Sequence, residues 1–317
     1  MAIDELARFS QVFRPGALAV ILGSASGIGR EAAKRFASLG MKVAMGDNEA
    51  AELQASADNI RKLYNCGESV FAQPVDVTSP DSIATFHGSV KKAFGDVPVN
   101  VLMCNAGTGV GTGALGERAK WDKTLAVNMW GVINGCQEFV PDMIKSGAPG
   151  YVVNTGSKQG ITCPPGNLSY NVSKAAVKVF TEGLAHELRT APTNADGKLT
   201  AALLVPGWVN TGISFKTARD LKGAEFDPAK HVHSWEEKPA AGAWMPDKLV
   251  DYFLERLKKG DFYIICPDNE VTEETDKKRV MWAAGDVAYN RAPLSRWDAR
   301  YAESFKEYMA KDGYEQS

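Results

Sequence analysis

The sequence predicts an α/β fold: a doubly wound parallel sheet in a single domain, with a lid insertion and a C-terminal extension. Three observations lead there. Short apolar runs alternate with longer helical patterns from Ala17 to Cys266, and the connections stay short as far as Pro206. Glycine and polar motifs cluster where the apolar runs end, as expected for strands that deliver a site at one sheet edge. In chain order the strand candidates are Ala17–Leu22, Lys42–Met45, Ser69–Pro74, Val99–Met103, Tyr151–Asn154, Thr200–Val205 and Phe262–Ile265. Between them, helical periodicity is read near Gly27–Leu39, Ala50–Tyr64, Pro80–Phe94, Ala119–Ser146, Ser169–Arg189 and Pro246–Lys258. The sheet domain is expected over 13–266. Within it, 211–245 mixes Gly, Pro and charge with aromatics at a length that predicts a lid, an irregular surface insertion being the alternative. Residues 267–317 form the extension, packed on the domain or at a subunit interface; Tyr301, Phe305 and Tyr308 stand at helical spacing within it.

Bulk composition excludes several function classes. With 317 residues and 44% apolar content, a sizeable core is available. The formal charge of −2 offers no general attraction for nucleic acid or an anionic membrane. Cys66, Cys104, Cys136, Cys163 and Cys266 are scattered and odd in number, which suits reduced thiols and a cytoplasmic setting. His231 and His233 lack accompanying ligands at metal spacing and read as surface loop, so no metal is expected. The first dozen residues carry acids and lack the long apolar core of a secretory signal. No apolar run reaches the ~18 residues of a membrane span.

The first strand–helix junction reads GSASGIG, with Gly23, Gly27 and Gly29 spaced G-x-x-x-G-x-G. Unsatisfied N–H groups at a helix start attract phosphate, and the small residues Gly23, Ser24, Ala25, Ser26, Gly27 and Gly29, with Ile28 among them as a further contact, let it approach. Alone, such a turn is often only tight packing. Asp47 ends the second strand 18 residues beyond Gly29, close to the ~20 expected of an acid that binds the adenosine ribose. Its carboxylate would repel a 2′-phosphate, and Ser26 stands where a Lys or Arg could have received one. This favours NAD over NADP. A turn role for Asp47 in GDN is the competing reading.

Tyr170 and Lys174 stand four residues apart in YNVSK, on one face if helical. An ammonium beside a phenol stabilises the phenolate and lowers a pKa that is otherwise ~10. Ser157 lies 13 residues before Tyr170, just past a strand end. CNAG (Cys104–Gly107) and VPGWVNTG (Val205–Gly212) follow other strand ends, where ligands bind in open parallel sheets, and Asn128 falls inside a long helix.

The ordered set resembles the short-chain dehydrogenase/reductase family, in its single-domain branch, over about Ala17 to Gly212. The resemblance implies a Rossmann-type sheet and hydride transfer between a nicotinamide and an alcohol/carbonyl pair. It implies Tyr170 as acid/base, Lys174 as its modulator and a ribose ligand, and Ser157 as the hydrogen-bond partner of the substrate oxygen. Asn128 would hold a water that links Lys174 to solvent. Asp76 and Val77 would meet adenine; Asn105, Ala106 and Gly107 would line the adenosine ribose; Pro206, Gly207, Val209 and Thr211 would flank the nicotinamide. Three departures stand out: Leu22 in place of a threonine before the first glycine, Cys104 in place of asparagine, and a missing D-G-G after FYIICP.

The expected function is therefore that of an NAD-dependent alcohol dehydrogenase or ketone reductase. Phe215, Phe226, Trp235 and Trp244, with Trp208 at the root of the lid, would suit a bulky or aromatic substrate; packing of the lid on the body is the bland alternative. The stretch VNMWGVINGCQEFVPDMIKSGAPGYVV and the long tail are similar to bacterial dehydrogenases of benzylic alcohols from lignin-derived aryl ethers. A redox sensor without catalysis and a sugar-nucleotide epimerase or dehydratase are the alternatives. By resemblance, the partners are a small-molecule alcohol or ketone and a second copy or copies of the chain, as homodimer or homotetramer.

Overall fold

The computed structural model describes residues 4–226 and 241–314. Seven strands form one parallel sheet: β1 (Leu18–Leu22), β2 (Lys42–Asp47), β3 (Val70–Pro74), β4 (Val99–Cys104), β5 (Gly150–Thr155), β6 (Leu199–Val205) and β7 (Tyr263–Ile265), ordered β3-β2-β1-β4-β5-β6-β7. This is a Rossmann-like α/β fold. The chain returns from the β3 edge to the far side of β1, so the connections leaving β1 and β4 run to opposite faces. That divergence opens a crevice at their carboxyl ends. β1 lies in register with β2 from Leu18 opposite Lys42 to Leu22 opposite Gly46.

Both faces of the sheet are covered, which is why the strands are apolar without alternation. Along β1, Ala19 and Ile21 enter one core with Phe36 of α2 (Gly27–Ser38) and Leu249 and Phe253 of α10 (Pro246–Lys258). Leu18, Val20 and Leu22 enter the other with Phe86 of α4 (Pro80–Phe94), Phe139 of α6 (Gly131–Ser146) and Val177 of α8 (Leu168–Thr190). Between β2 and β3 runs α3 (Ala50–Tyr64). Ser79 caps α4 by accepting from Ser82 N, and Pro80 pre-sets its first turn.

The helix expected over 119–146 is not uniform: α5 (Arg118–Leu125) passes into α6 through a π-helical turn, Ala126–Trp130, with Asn128 at its centre. Such turns insert one extra residue and re-aim side chains, an effect that hydrophobic periodicity does not reveal. The described part of the segment read as a lid contains α9 (Ile213–Lys222), and α7 (Gln159–Thr162) follows β5. Before the sheet lies α1 (Glu5–Val12), and the extension carries α11 (Glu273–Ala288) and α12 (Ala302–Ala310). Trp235, His231 and His233 lie outside the described residues. None of the described helices is long and apolar enough to cross a membrane.

Candidate active site

At the carboxyl edge of the sheet a cavity of about 770 Å³ runs from Asp47 past the glycine turn to Ser157 and Tyr170. The turn is built by close approach. Gly23 has φ +88°, and a Cβ there would stand 2.4 Å from Ala106 N; a Cβ on Gly29 would stand 2.0 Å from the Gly23 carbonyl oxygen. No side chain fits either place. Leu22 is buried, and Asn105 Nδ2 donates to the Gly23 carbonyl at 2.8 Å, tying the turn to the loop after β4. A cradle this bare, opening α2 towards the cavity, fits the pyrophosphate of a dinucleotide.

Asp47 fixes the turn from the side. Its carboxylate accepts from Ala25 N at 2.9 Å and Glu49 N at 3.1 Å. One expectation is corrected here. Ser26 does have a cation beside it: Lys216, from α9, donates to Ser26 Oγ at 3.0 Å and pairs with Glu52 at 2.7 Å. One turn further along α9, Arg219 grips both oxygens of Glu49, at 2.6 and 3.3 Å. Spacing along the chain could not show this, because 190 positions separate Ser26 from Lys216. Asp76 lies exposed at the same end, holding Thr78 N at 2.9 Å, while Val77 is buried against Gly131 at the start of α6.

Ser157, Tyr170 and Lys174 line the far part of the cavity. α8 presents Tyr170 and Lys174 one turn apart, and the ammonium lies 5.8 Å from the phenol ring centroid. Lys174 is 4% exposed and donates to the Thr155 carbonyl at 2.9 Å. Burial drives its pKa down to about 8. Burial also raises the Tyr170 phenol above its ordinary value, and a hydrogen bond with Ser157 only partly opposes this. That differs from the lowered phenol expected from the sequence: desolvation of the buried ring outweighs what opposes it. The same network reaches the glycine turn, since Thr155 Oγ1 donates to Asn105 Oδ1 at 3.1 Å.

Asn128 does not line the cavity. Fully buried, it accepts from Thr108 N at 2.8 Å and donates to Thr108 O and Ser173 Oγ, each at 3.1 Å. It thus ties the loop after β4 to the residue preceding Lys174. Of the other expected residues, Gly27, Ile28, Ala106, Gly107, Pro206, Gly207, Val209 and Thr211 line the cavity, and Gly29 stands behind the turn. Among the aromatics, Phe215 packs edge-on against Phe226 and Trp244 against Tyr252, whereas Trp208 is 52% exposed on the cavity wall.

Sequence reasoning missed Lys158. It follows Ser157, lines the cavity, and pairs with Asp268 at 3.1 Å and with the fully buried Asp276 at 2.7 Å. Both acids belong to the extension. Among the described residues, no group of three or more His, Cys, Asp or Glu could hold a metal.

Comparison with known proteins agrees with this arrangement. The family model described as short chain dehydrogenase matches residues 17–222. The chain belongs to the short-chain dehydrogenase/reductase family. Its relatives include the probable oxidoreductase EphD of Mycobacterium tuberculosis, 30% identical over 79% of this chain and 42% of that protein. The chain thus spans less than half the length of that relative. The 3beta-hydroxysteroid dehydrogenase 1 of Eggerthella lenta is 26% identical over 75% of this chain and 89% of its own. A short chain dehydrogenase/reductase from Burkholderia phymatum, solved in complex with NAD, superposes with a TM-score of 0.74 at 29% identity. That match covers 89% of this chain and 97% of the other.

Proposed function

We propose that this family member is an NAD(H)-dependent oxidoreductase that interconverts a secondary alcohol and its ketone. The observation that carries the reading is the junction of two features in one cavity: the bare glycine cradle, and Tyr170 bonded to Ser157 with Lys174 one turn away. A nicotinamide bound there would supply or accept the hydride. The chain's own residues handle the proton and the geometry. Tyr170 gives a proton to the substrate oxygen in reduction and takes one in oxidation; Ser157 orients that oxygen. Lys174 and Asn128 hold the loops around the pair. Asp47 would accept from the ribose hydroxyls and disfavour a 2′-phosphate.

Half-exposed on the cavity wall, Trp208 favours a bulky or aromatic substrate, such as a benzylic alcohol. We further infer a cytoplasmic homodimer or homotetramer, joined through the helices that carry Asn128 and Tyr170. In support, Val172 and Val179 of α8 are 40% and 65% exposed, two turns apart on one stripe. Light scattering of Val179→Glu would show a smaller particle if that stripe is buried between copies.

The test of the catalytic reading is Tyr170→Phe. Turnover of secondary alcohols, followed at the nicotinamide absorbance, should fall at least ~10³-fold, with NADH affinity nearly unchanged. Retained turnover would sink the assignment.

A further inference from the structure

Around the Asp47 end of the cavity, charge is arranged in pairs drawn from two elements. Asp47, Glu49 and Glu52 come from the end of β2 and the start of α3; Lys216 and Arg219 come from α9. Each cation is occupied by an acid, Lys216 by Glu52 at 2.7 Å and Arg219 by Glu49 at 2.6 Å. Asp220 pairs with Lys123 at 2.7 Å through one oxygen and touches Arg219 at 3.3 Å through the other, so this further acid and cation cancel. Three carboxylates against two cations leave this end with a net negative charge. Yet the ammonium of Lys216 already touches Ser26, the residue that opens α2 next to the Asp47-bound turn.

We propose that Glu49 and Glu52 are cofactor-specificity residues: by occupying Arg219 and Lys216, they withhold from a 2′-phosphate the two cations that could otherwise bind it. Rejection of NADP(H) is then set by three acids rather than by Asp47 alone, and it is reversible without touching Asp47. The physical reason is that an ammonium or guanidinium already sharing its charge with a carboxylate offers a second anion little net attraction. A phosphate of about −2 must either displace the carboxylate or bind beside it. Removing both acids changes the local balance by two charges and releases the guanidinium N–H groups that Glu49 held and the ammonium donor that Glu52 held, leaving Arg219 its longer contact to Asp220 at 3.3 Å and Lys216 its bond to Ser26.

This inference rests on the assignment of the cavity to a nicotinamide dinucleotide, and the experiment separates the two. Dissociation constants for NADH and NADPH are measured by fluorescence titration on four proteins. These are the unmodified chain, the isosteric Glu49→Gln/Glu52→Gln double variant, that double with Lys216→Met, and the double with Arg219→Met. The double variant should tighten NADPH by roughly ten-fold or more at low salt, the change in NADH staying within about three-fold. Adding Lys216→Met or Arg219→Met should erase most of the gain. An unmoved NADPH constant with NADH bound normally overturns the proposal and leaves the cofactor assignment standing. Equal tightening of both cofactors also overturns it, because that is general attraction rather than recognition of the 2′-phosphate. Failure of the unmodified chain to bind either cofactor sinks the assignment and this inference together.

Discussion

Lys174 stores free energy in the site. Its amine titrates near 8 in the folded chain, against ~10.4 when unfolded, so holding it charged below pH 8 costs ~3 kcal/mol. Between those two values the unfolded chain binds more protons than the folded one, so this contribution to stability rises with pH from about 8 to ~10.4. Lys174→Met removes the cost and gives up one hydrogen bond to Thr155. The variant should therefore be more stable than the unmodified, cofactor-free protein at pH 7, by about 1–2 kcal/mol in urea denaturation. The margin should shrink at pH 10, and a variant no more stable at pH 7 would refute the argument. Tyr170 carries the complementary consequence. With its pKa raised by burial, the phenol is in the proton-donating form throughout the neutral range. Ketone reduction should then be flat in kcat/KM from pH 6 to 8. Alcohol oxidation, which needs the phenolate, should still be climbing at pH 9; a plateau below pH 8 would contradict this.

At the scale of elements, β1, the glycine turn and α2 act as one unit in which the turn is as small as a backbone permits. Gly29→Ala would drive a Cβ to within 2.0 Å of the Gly23 carbonyl oxygen, against backbone rather than a yielding side chain. The turn must open. NADH affinity should fall at least ~100-fold while far-ultraviolet dichroism stays unchanged, because α2 beyond the turn keeps its buried face. This unit was legible in the sequence, since strand, turn and helix are contiguous and glycine spacing reports close approach directly. So were the seven strands, whose apolar runs follow from burial on both faces. The less legible parts all depend on contacts between distant segments or on desolvation. Lys216 reaches Ser26 only because α9 folds back over the cavity. The π-helical turn at Asn128 preserves helical periodicity to within one residue. A raised Tyr170 depends on how much protein surrounds the ring, which the four-residue spacing to Lys174 does not encode.

Across the whole molecule, the extension is wired into the catalytic edge of the sheet. Lys158 and Asp268 pair although 110 positions separate them, and Asp268 also accepts from Trp208 N at 3.2 Å. One residue thus braces both the Ser157 loop and the segment after β6. Behind it, Asp276 is 1% exposed and shared between Lys158 at 2.7 Å and Arg279 at 3.2 Å. α11 is held in place in turn by Trp282, which is 4% exposed and packs on Phe305 and Tyr308 of α12. Asp276→Asn would leave Lys158 leaning on Asp268 alone. Removing one partner of a well-buried pair costs ~3–5 kcal/mol, and the surviving acid reduces that to about 1–3 kcal/mol. If the pair positions the Ser157 loop, kcat should drop about ten-fold with the NADH dissociation constant unchanged. The double variant Lys158→Met/Asp276→Asn separates this from general damage. With both charges gone the Lys158–Asp276 pair is removed as a unit and Asp268 keeps its backbone donors Trp208 N, Glu270 N and Val271 N, so the loss of stability should be clearly smaller than the sum of the two single losses. Purely additive losses in urea denaturation would show that Lys158 and Asp276 act independently, and that the extension reaches the active site by some other contact.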